Sequence, residues 1–187
     1  MSAIVVIYAV LGVMVLWVIW TFNSLVRLRN RSEEAWSDIE VQFKRRYDLI
    51  PNLIEAVKGY MAHERGTLQE VTEARTRAME VSNVLERAGA ENTLSNTLKT
   101  LFAVSENYPN LKANANFLDL QRELADTENK IQAARRFFNS VVLELNTRID
   151  IFPSNLIARL FRFVGREFFD LEGEEEKAAK EPVKVKF

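Results

Sequence analysis

Residues 3–22 read AIVVIYAVLGVMVLWVIWTF, a run of twenty residues without a charged side chain or a proline. As a helix rising about 1.5 Å per residue, the run is long enough to cross the ~30 Å hydrocarbon core of a bilayer. A cleaved signal peptide would need a basic segment before the run and a small-residue cleavage site after it, and neither is found. The run therefore predicts a transmembrane helix, with residues 1–26 as the anchor.

The residues that flank this run predict its orientation. Trp17 and Trp20 lie near its C-terminal end, where aromatic side chains typically meet the headgroup region. Arg27, Arg29 and Arg31 follow, whereas nothing basic except the α-amino group precedes the run. By the positive-inside rule, the N-terminus lies outside and the rest of the chain lies in the cytoplasm.

The composition behind the anchor excludes several classes of protein. A net charge of −1 argues against a nucleic-acid binder, and the absence of cysteine excludes disulfides, thiolate metal sites and cysteine nucleophiles. The one histidine, His63, lacks the second histidine that a zinc protease motif requires, and no GxSxG elbow or glycine-rich phosphate loop occurs. We therefore predict no catalytic residue, no bound metal and no cofactor.

Two stretches in which apolar residues recur at alternating spacings of three and four predict long helices. They run from Trp36 to Val71 and from Phe117 to Phe152, and in each of them nine of the eleven positions in phase are apolar. Apolar residues at this repeat mark a seam that is buried against other helices, as in a coiled coil.

Helix breakers divide the rest of the chain. Pro51 lies inside the first stretch, where its missing N–H predicts a kink. Turns are expected around Gly89 and at residues 107–110, with a shorter helix over residues 92–106 between them. The sequence predicts an all-α fold in which the membrane helix continues into an elongated antiparallel bundle of three to four long helices, residues 27–170.

Polar residues on the two long helices form a candidate buried cluster. Asparagines in a helical seam fix its register, and buried ion pairs serve packing specificity more than stability. We hypothesise that some of these side chains pair across helices around the proline; a solvated stripe and a substrate-binding cluster are the alternatives. The candidates are Asp48, Asn52, Glu55, Glu128, Arg135, Arg136 and Asn139.

A basic, amphipathic segment predicts a last helix over residues 156–169. Three arginines share one face, and apolar side chains lie largely opposite. Such a helix can lie on an anionic membrane surface. Alternatively its phenylalanine face caps the bundle core, which is the interpretation we favour. The residues concerned are Arg159, Phe161, Arg162, Arg166 and Phe168.

The remaining residues, 171–187, predict a charged and flexible tail. Its end alternates apolar and basic residues, a pattern that suits an extended peptide docking on a partner's sheet edge or in a groove. Val183, Val185 and Phe187 are the candidate docking residues, although most tails of this kind are simply disordered.

Several blocks of the sequence, in this order, resemble the signature of the LemA family. The resemblance implies a bacterial protein with one N-terminal membrane helix and an elongated all-α cytoplasmic domain, and it carries over no catalytic residue or cofactor. The blocks are LRNR (28–31), EAWSDI (34–39), KRRYDLIPNL (44–53), NYPNLKA (107–113), TEN (127–129), AARRFFN (133–139) and FP (152–153).

These observations predict a single-pass protein of the bacterial cytoplasmic (inner) membrane. We expect it to act without catalysis as a scaffold, an adaptor or a self-assembling structural protein. Its expected partners are the lipid bilayer, further copies of itself and another membrane protein, but not nucleic acid. Two other classes stay open, namely a regulatory partner of a membrane enzyme or protease, and a hydrolase with an unrecognised carboxylate site.

Overall fold

The computed structural model describes residues 3–169, and this part of the chain is all-α, as predicted. Helices account for 84% of the described residues, and none of them forms a strand. In chain order the helices are α1 (Ala3–Lys58), α2 (Arg65–Glu80), α3 (Val84–Ser105), α4 (Pro109–Lys112), α5 (Ala115–Asp150) and α6 (Ser154–Leu160). The predicted tail, with Val183, Val185 and Phe187, lies outside the described residues.

The first part of α1 is the apolar run, and it lies open to its surroundings. Residues 3–16 are all exposed. Within the described part of the chain, α1 contains the one stretch of helix that is long and apolar enough to cross a membrane. Since leaving this much contiguous apolar surface in water is unfavourable, the run fits a membrane anchor.

The described residues divide into two compact units. The first contains the residues up to Asp38 together with Ala134–Phe168, and the second contains Ile39–Ala133 and Phe169. The boundary between them falls inside α1 and inside α5, so each unit receives part of both long helices.

In the first unit, α1 and α5 run antiparallel. The Arg148 guanidinium lies 5.1 Å from the ring centroid of Trp20, and the Arg31 guanidinium lies 5.4 Å from that of Phe137. Cation–π contacts of this kind join a basic head to an aromatic face. Because the partner residue number on α5 falls as the number on α1 rises, the two helices have opposite directions.

Helix α6 packs on α1 where the apolar run ends. Leu25 of α1 and Ile157 and Ala158 of α6 form a buried cluster in the first unit. The partly buried hydrophobic residues that pack against this cluster are Trp17, Val18, Phe22, Ile149 and Phe163. Burial of apolar side chains from three segments holds the short α6, which has too few residues to be stable as an isolated helix.

A Schellman motif ends α6. Arg162 has a φ of 57°, in the left-handed region, and its N–H donates to the carbonyl of Arg159 at 3.2 Å. The N–H of Phe163 donates to the carbonyl of Ala158 at 2.9 Å. These two bonds satisfy carbonyls that the last turn of the helix would otherwise leave without partners.

The prediction of a helix over residues 156–169 is therefore wrong beyond Leu160. Backbone groups beyond this point bond to a side chain of α5 and not within a helix. The Asn146 side chain accepts from the N–H of Arg166 at 2.9 Å and donates to its carbonyl at 2.8 Å. A Cβ placed on Gly165 would come within 2.9 Å of Asn146 Oδ1, so any larger residue here would have to displace the Asn146 amide from its position.

The second unit is a bundle built from the end of α1, from α2 and α3, and from the start of α5. Apolar side chains at helical spacings fill its interior. Those fully or almost fully buried include Ile39, Phe43, Ile50, Leu53, Val57, Val71, Leu94, Leu98, Leu101, Leu124 and Ile131.

In this unit the structure differs from two of the helix boundaries predicted from the sequence. The first long helix does not continue to Val71, because α1 ends at Lys58 and α2 begins at Arg65. Gly89 lies inside α3 and not in a turn. The helix starts instead after Asn83, whose side-chain Oδ1 accepts from the backbone N–H of Leu85 at 2.9 Å, an N-cap that the sequence analysis had passed over.

Helix α1 passes through Pro51 without a break. Proline has no N–H, so the carbonyl of Tyr47, four residues earlier, has no partner within the helix. Arg75 of α2 supplies the missing donor, since its Nε–H donates to the Tyr47 carbonyl at 2.8 Å. A side chain of α2 thus completes the hydrogen bonding of α1.

This arrangement predicts energetic coupling between the proline and the arginine. In the native chain, Arg75→Met should lower the free energy of unfolding of the second unit by about 1–2 kcal/mol, because it leaves a half-buried carbonyl unsatisfied. In a Pro51→Ala chain the new N–H can bond to the Tyr47 carbonyl, and the same substitution should cost a few tenths of a kcal/mol. Amide hydrogen exchange of α1 and α2 in detergent measures both, and equal costs in the two chains would contradict the assignment.

Candidate functional site

A buried ion pair lies at the centre of the second unit. The side chains of Arg46 on α1 and Glu91 on α3 are both 0% exposed, and Arg46 Nη2 donates to Glu91 Oε2. Burial lowers the pKa of Arg46, an effect that the neighbouring Glu128 carboxylate opposes. Arginine nevertheless stays protonated in proteins, so the site holds a charged pair away from water.

Tyr47 occupies the second oxygen of the same carboxylate. Its phenol donates to Glu91 Oε1, and the phenol oxygen lies 3.3 Å from the carbonyl oxygen of Ala78 on α2. Burial raises the pKa of the Tyr47 phenol, although the Arg87 and Arg46 guanidinium groups act in the opposite direction. The neutral phenol is the form that can donate, so its hydrogen bond to Glu91 requires the proton that burial retains.

Glu128 of α5 closes the network on its outer side. Arg46 Nη1 donates to Glu128 Oε2 at 2.6 Å and to Ser95 Oγ at 2.8 Å, and the serine hydroxyl in turn lies 3.2 Å from Glu128 Oε2. The Glu128 side chain keeps 30% of its exposure. We call Arg46, Tyr47, Glu91, Ser95 and Glu128 the arginine network; they come from α1, α3 and α5.

The central pair of the arginine network is closed to a substrate. Both oxygens of Glu91 are occupied, and Arg46 is enclosed. An apolar cavity of about 210 Å³ lies beside Glu128 and is lined by Leu98, Phe102 and Leu124 among others. Its polar lining includes Ser95 and Glu128, which are bonded to the network, and Lys99.

The acidic side chains and the histidine are spread out in the described part of the chain. Among residues 3–169, no group of three or more histidine, aspartate or glutamate side chains is placed to hold an ion. His63 is exposed in the turn between α1 and α2. The charged side chains of the arginine network pair with one another between helices, as Arg46 does with Glu91 and Glu128.

The predicted buried cluster is only partly what the structure contains. Glu128 belongs to the arginine network, and Arg135 is 2% exposed in the first unit, where Asn139 is half-buried. The pairing predicted around Pro51 stays a prediction, and the residues expected to provide it from α1 lie on the exposed side of the helix. Asp48, Asn52, Glu55 and also Arg136 are exposed.

The residues predicted at the membrane interface lie on one stretch of α1. Trp17 packs against α6, and Trp20 lies under Arg148. Arg27, Arg29 and Arg31 are exposed, although the guanidinium groups of Arg29 and Arg31 lie within 5.8 and 5.4 Å of the rings of Phe163 and Phe137, respectively. The interfacial role of these residues stays a prediction.

The residues of the predicted C-terminal helix face are dispersed. Arg159 lies in the last turn of α6 and is exposed, and the Phe161 ring packs 4.7 Å from that of Phe22. Arg166 donates to Glu33 Oε1 at 3.2 Å. Arg162 takes the left-handed position, and Phe168 is 42% exposed beyond the helix. They do not form one helical face.

The sequence analysis missed Arg46, Glu91 and Ser95 as members of a site. A signal was present, because Arg46 falls in phase with Phe43, Ile50, Leu53 and Val57 on the buried side of α1. A charged residue in the apolar phase of a helix is the pattern that could have indicated a buried ion pair.

Fold and site together define an all-α protein with an apolar N-terminal helix and a set of charges paired inside a helical bundle. The model of a protein family described as the LemA family matches residues 35–187. The chain belongs to the LemA family, which confirms the resemblance that its motifs indicated.

The curated proteins that are similar to this chain include proteins named LemA and proteins named MamQ. Protein LemA of Metamycoplasma hominis is 27% identical, over 73% of this chain and 63% of that protein. Magnetosome protein MamQ 2 of Paramagnetospirillum magneticum is 23% identical, and magnetosome protein MamQ of Magnetospirillum gryphiswaldense is 22% identical, each over 79% of this chain and 64% of that protein. The chain thus spans less than two thirds of the length of these relatives, and none of the names denotes an enzyme.

The ion pair predicts a marked asymmetry between single and double substitutions. Arg46→Met should lower the free energy of unfolding of the second unit by about 3–5 kcal/mol, because it leaves Glu91 charged and buried without its partner. Adding Glu91→Leu should recover most of that loss, since two apolar side chains then replace the pair. Urea unfolding of the detergent-solubilised chain, followed by the exchange of α3 amides, measures the difference.

Arg45→Met is the matched control for this pair. Arg45 is the neighbouring residue and bonds to Glu123 at 2.9 Å, but on the exposed side of the helix. Its loss should leave the unfolding curve almost unchanged. Equal effects of Arg45→Met and Arg46→Met, or a double variant no better than Arg46→Met, would show that burial of the pair is not what matters.

Tyr47 predicts a loss of stability at alkaline pH. Its pKa in the folded chain is raised above the ordinary value of about 10, so the folded state holds the proton more tightly than the unfolded state. The stabilisation is complete below about pH 10 and is lost as the pH rises through the folded pKa. As the pH rises above about 10, unfolding of Tyr47→Phe should depend less on pH than that of the native chain.

Proposed function

We propose that this chain is a non-catalytic scaffold or adaptor that residues 3–22 anchor in the bacterial cytoplasmic membrane, with its bundle on the cytoplasmic side. We further propose that it assembles with copies of itself and thereby gathers other membrane proteins. The single observation that carries the proposal is the arginine network. Its central groups, Arg46, Glu91 and Tyr47, are enclosed and bonded to one another, so they stabilise a particular arrangement of helices.

The packing of α6 supports a permanent anchor. Trp17, Val18 and Phe22 lie in the apolar run and pack against the cluster that α6 forms with Leu25. Cleavage after the run, near residue 23, would remove these contacts from the first unit and cut α1 within a continuous helix. A signal peptide is removed from the mature protein, so it is not expected to contribute side chains to the folded core.

The names of the relatives agree with a role that is not enzymatic. Three matching proteins are named as magnetosome proteins, after the structure they belong to and not after a reaction. A tethered bundle of this kind has the advantage that confinement to a membrane raises its local concentration, which favours association without a large interface.

Single-cysteine chains test the proposal, because the native sequence has no cysteine. Ser2→Cys should react with a membrane-impermeant maleimide on intact cells, and Lys112→Cys should react only after the membrane is opened. Cysteines at exposed bundle positions, such as Val41 and Met79, should form disulfide-linked oligomers on oxidation of native membranes. The substituted chain Arg46→Met with Glu91→Leu should give the same crosslinks if the arginine network is structural.

The outcomes separate the competing functions. Monomers alone at every cysteine position, with no stoichiometric partner on affinity capture, would contradict the scaffold. Recovery of one heterologous protein in equal amount would favour a regulatory partner of that protein instead. Loss of capture in a folded Arg46→Met, Glu91→Leu chain would indicate that the network itself acts on something.

A further inference from the structure

The corner between α5 and α6 presents apolar side chains outward. We call residues 151–161 the elbow. Its exposed hydrophobic side chains are Ile151, Phe152, Leu156, Leu160 and Phe161, with Phe152 78% and Leu160 71% exposed. Contiguous apolar surface of this kind on a folded protein marks a place where another apolar phase or partner is met.

The elbow lies beside the C-terminal end of the apolar run. Phe161 packs on Phe22 at 4.7 Å between ring centroids, and Arg148, just before the elbow, lies over Trp20. The cluster that holds α6 spans Trp17 to Leu25 of α1, about 12 Å along the helix axis. The exposed side chains of the elbow are therefore level with the residues that end a membrane span.

The charge of the elbow and the segment after it is mainly basic. Residues 151–166 contain three arginines and no acidic residue, and the exposed Asp150 and Glu167 lie at the two ends of this stretch. Arg159 and Arg162 are exposed, whereas Arg166 is bonded to Glu33. Exposed arginines next to apolar side chains suit the boundary between acyl chains and anionic headgroups, where each part of the surface finds a favourable environment.

We propose that the elbow inserts into the headgroup layer of the same bilayer that α1 spans, as a second, shallow membrane contact that takes anionic phospholipid. This inference rests on the proposed anchoring of residues 3–22. The occupant is the lipid leaflet itself, because the surface adjoins the span through the contact of Phe161 with Phe22 and the exposed charge within the elbow, Arg159, is basic. Because α6 packs on one side of α1, insertion of the elbow also fixes how α1 is rotated about its own axis in the bilayer.

Spin labels on single cysteines of the full chain test the inference. The chain is reconstituted in vesicles of phosphatidylcholine and phosphatidylglycerol, and the accessibility of each label to oxygen and to a water-soluble nickel complex reports its depth. Labels are placed at Val13 in the span, at Leu156 on the elbow, and at Ser37, which is exposed on α1 about 25 Å beyond Trp20. Circular dichroism establishes that each labelled chain keeps the native helix content.

The Val13 label should be deep, the Leu156 label should lie at headgroup depth, and the Ser37 label should be in water. A deep Val13 label with a Leu156 label as accessible to nickel as Ser37 overturns the elbow contact and leaves the anchor intact. A Val13 label in water overturns the anchor itself. A Leu156 label shielded from both reagents and dipolar-coupled to a second label shows that another copy covers the elbow, which also overturns the lipid contact.

Discussion

The pairing of Arg46 with Glu91 is the constraint on which the second unit depends. Each charge is removed from water, and each would be strongly unfavourable without the other, so the two helices that carry them have to meet at one register. The apolar side chains that fill much of the rest of the interior tolerate a shift along the helix far better than a hydrogen-bonded ion pair does. Tyr47 and Glu128 extend the requirement to α2 and α5. The apolar surfaces of the helices would allow several packing arrangements, and the ion pair selects one of them.

The same principle governs two places where the backbone leaves its regular pattern. Pro51 deprives the Tyr47 carbonyl of its helical donor, and a side chain from the next helix replaces it. Near the end of the described chain, the Asn146 amide binds both backbone groups of Arg166, which a helix would have satisfied internally. In each case a side chain distant in sequence completes the hydrogen bonds, and the local conformation is stable only within the folded unit.

Periodicity predicts the apolar part of this fold well. Residues in phase on the second long stretch, among them Phe117, Leu124, Ile131 and Leu145, are buried along α5. Apolar periodicity does not identify a charged residue in a core position, because a charged side chain is expected to be exposed. Glu91 in addition lies close to Gly89, where a turn is expected from the sequence, so no local pattern indicates that its carboxylate is buried.

The end of α6 shows a different limit of sequence reasoning. Arginine is a good helix former, and nothing in residues 156–169 forbids a longer helix. The conformation of Arg162 and the bonds of Asn146 come from tertiary packing, which a local pattern does not contain. Likewise, the exposed Asp48 and Asn52 and the enclosed Arg46 lie within one turn or two of the same helix, and only the partner helices distinguish them.

The division of the chain has a consequence for its biosynthesis. The second unit, apart from Phe169, is continuous from Ile39 to Ala133, so its segments leave the ribosome together and can collapse early. The first unit joins the N-terminal helix to segments translated more than ninety residues later. The part of α1 up to Asp38 therefore lacks its partners from α5 and α6 until residues 134–168 have been synthesised.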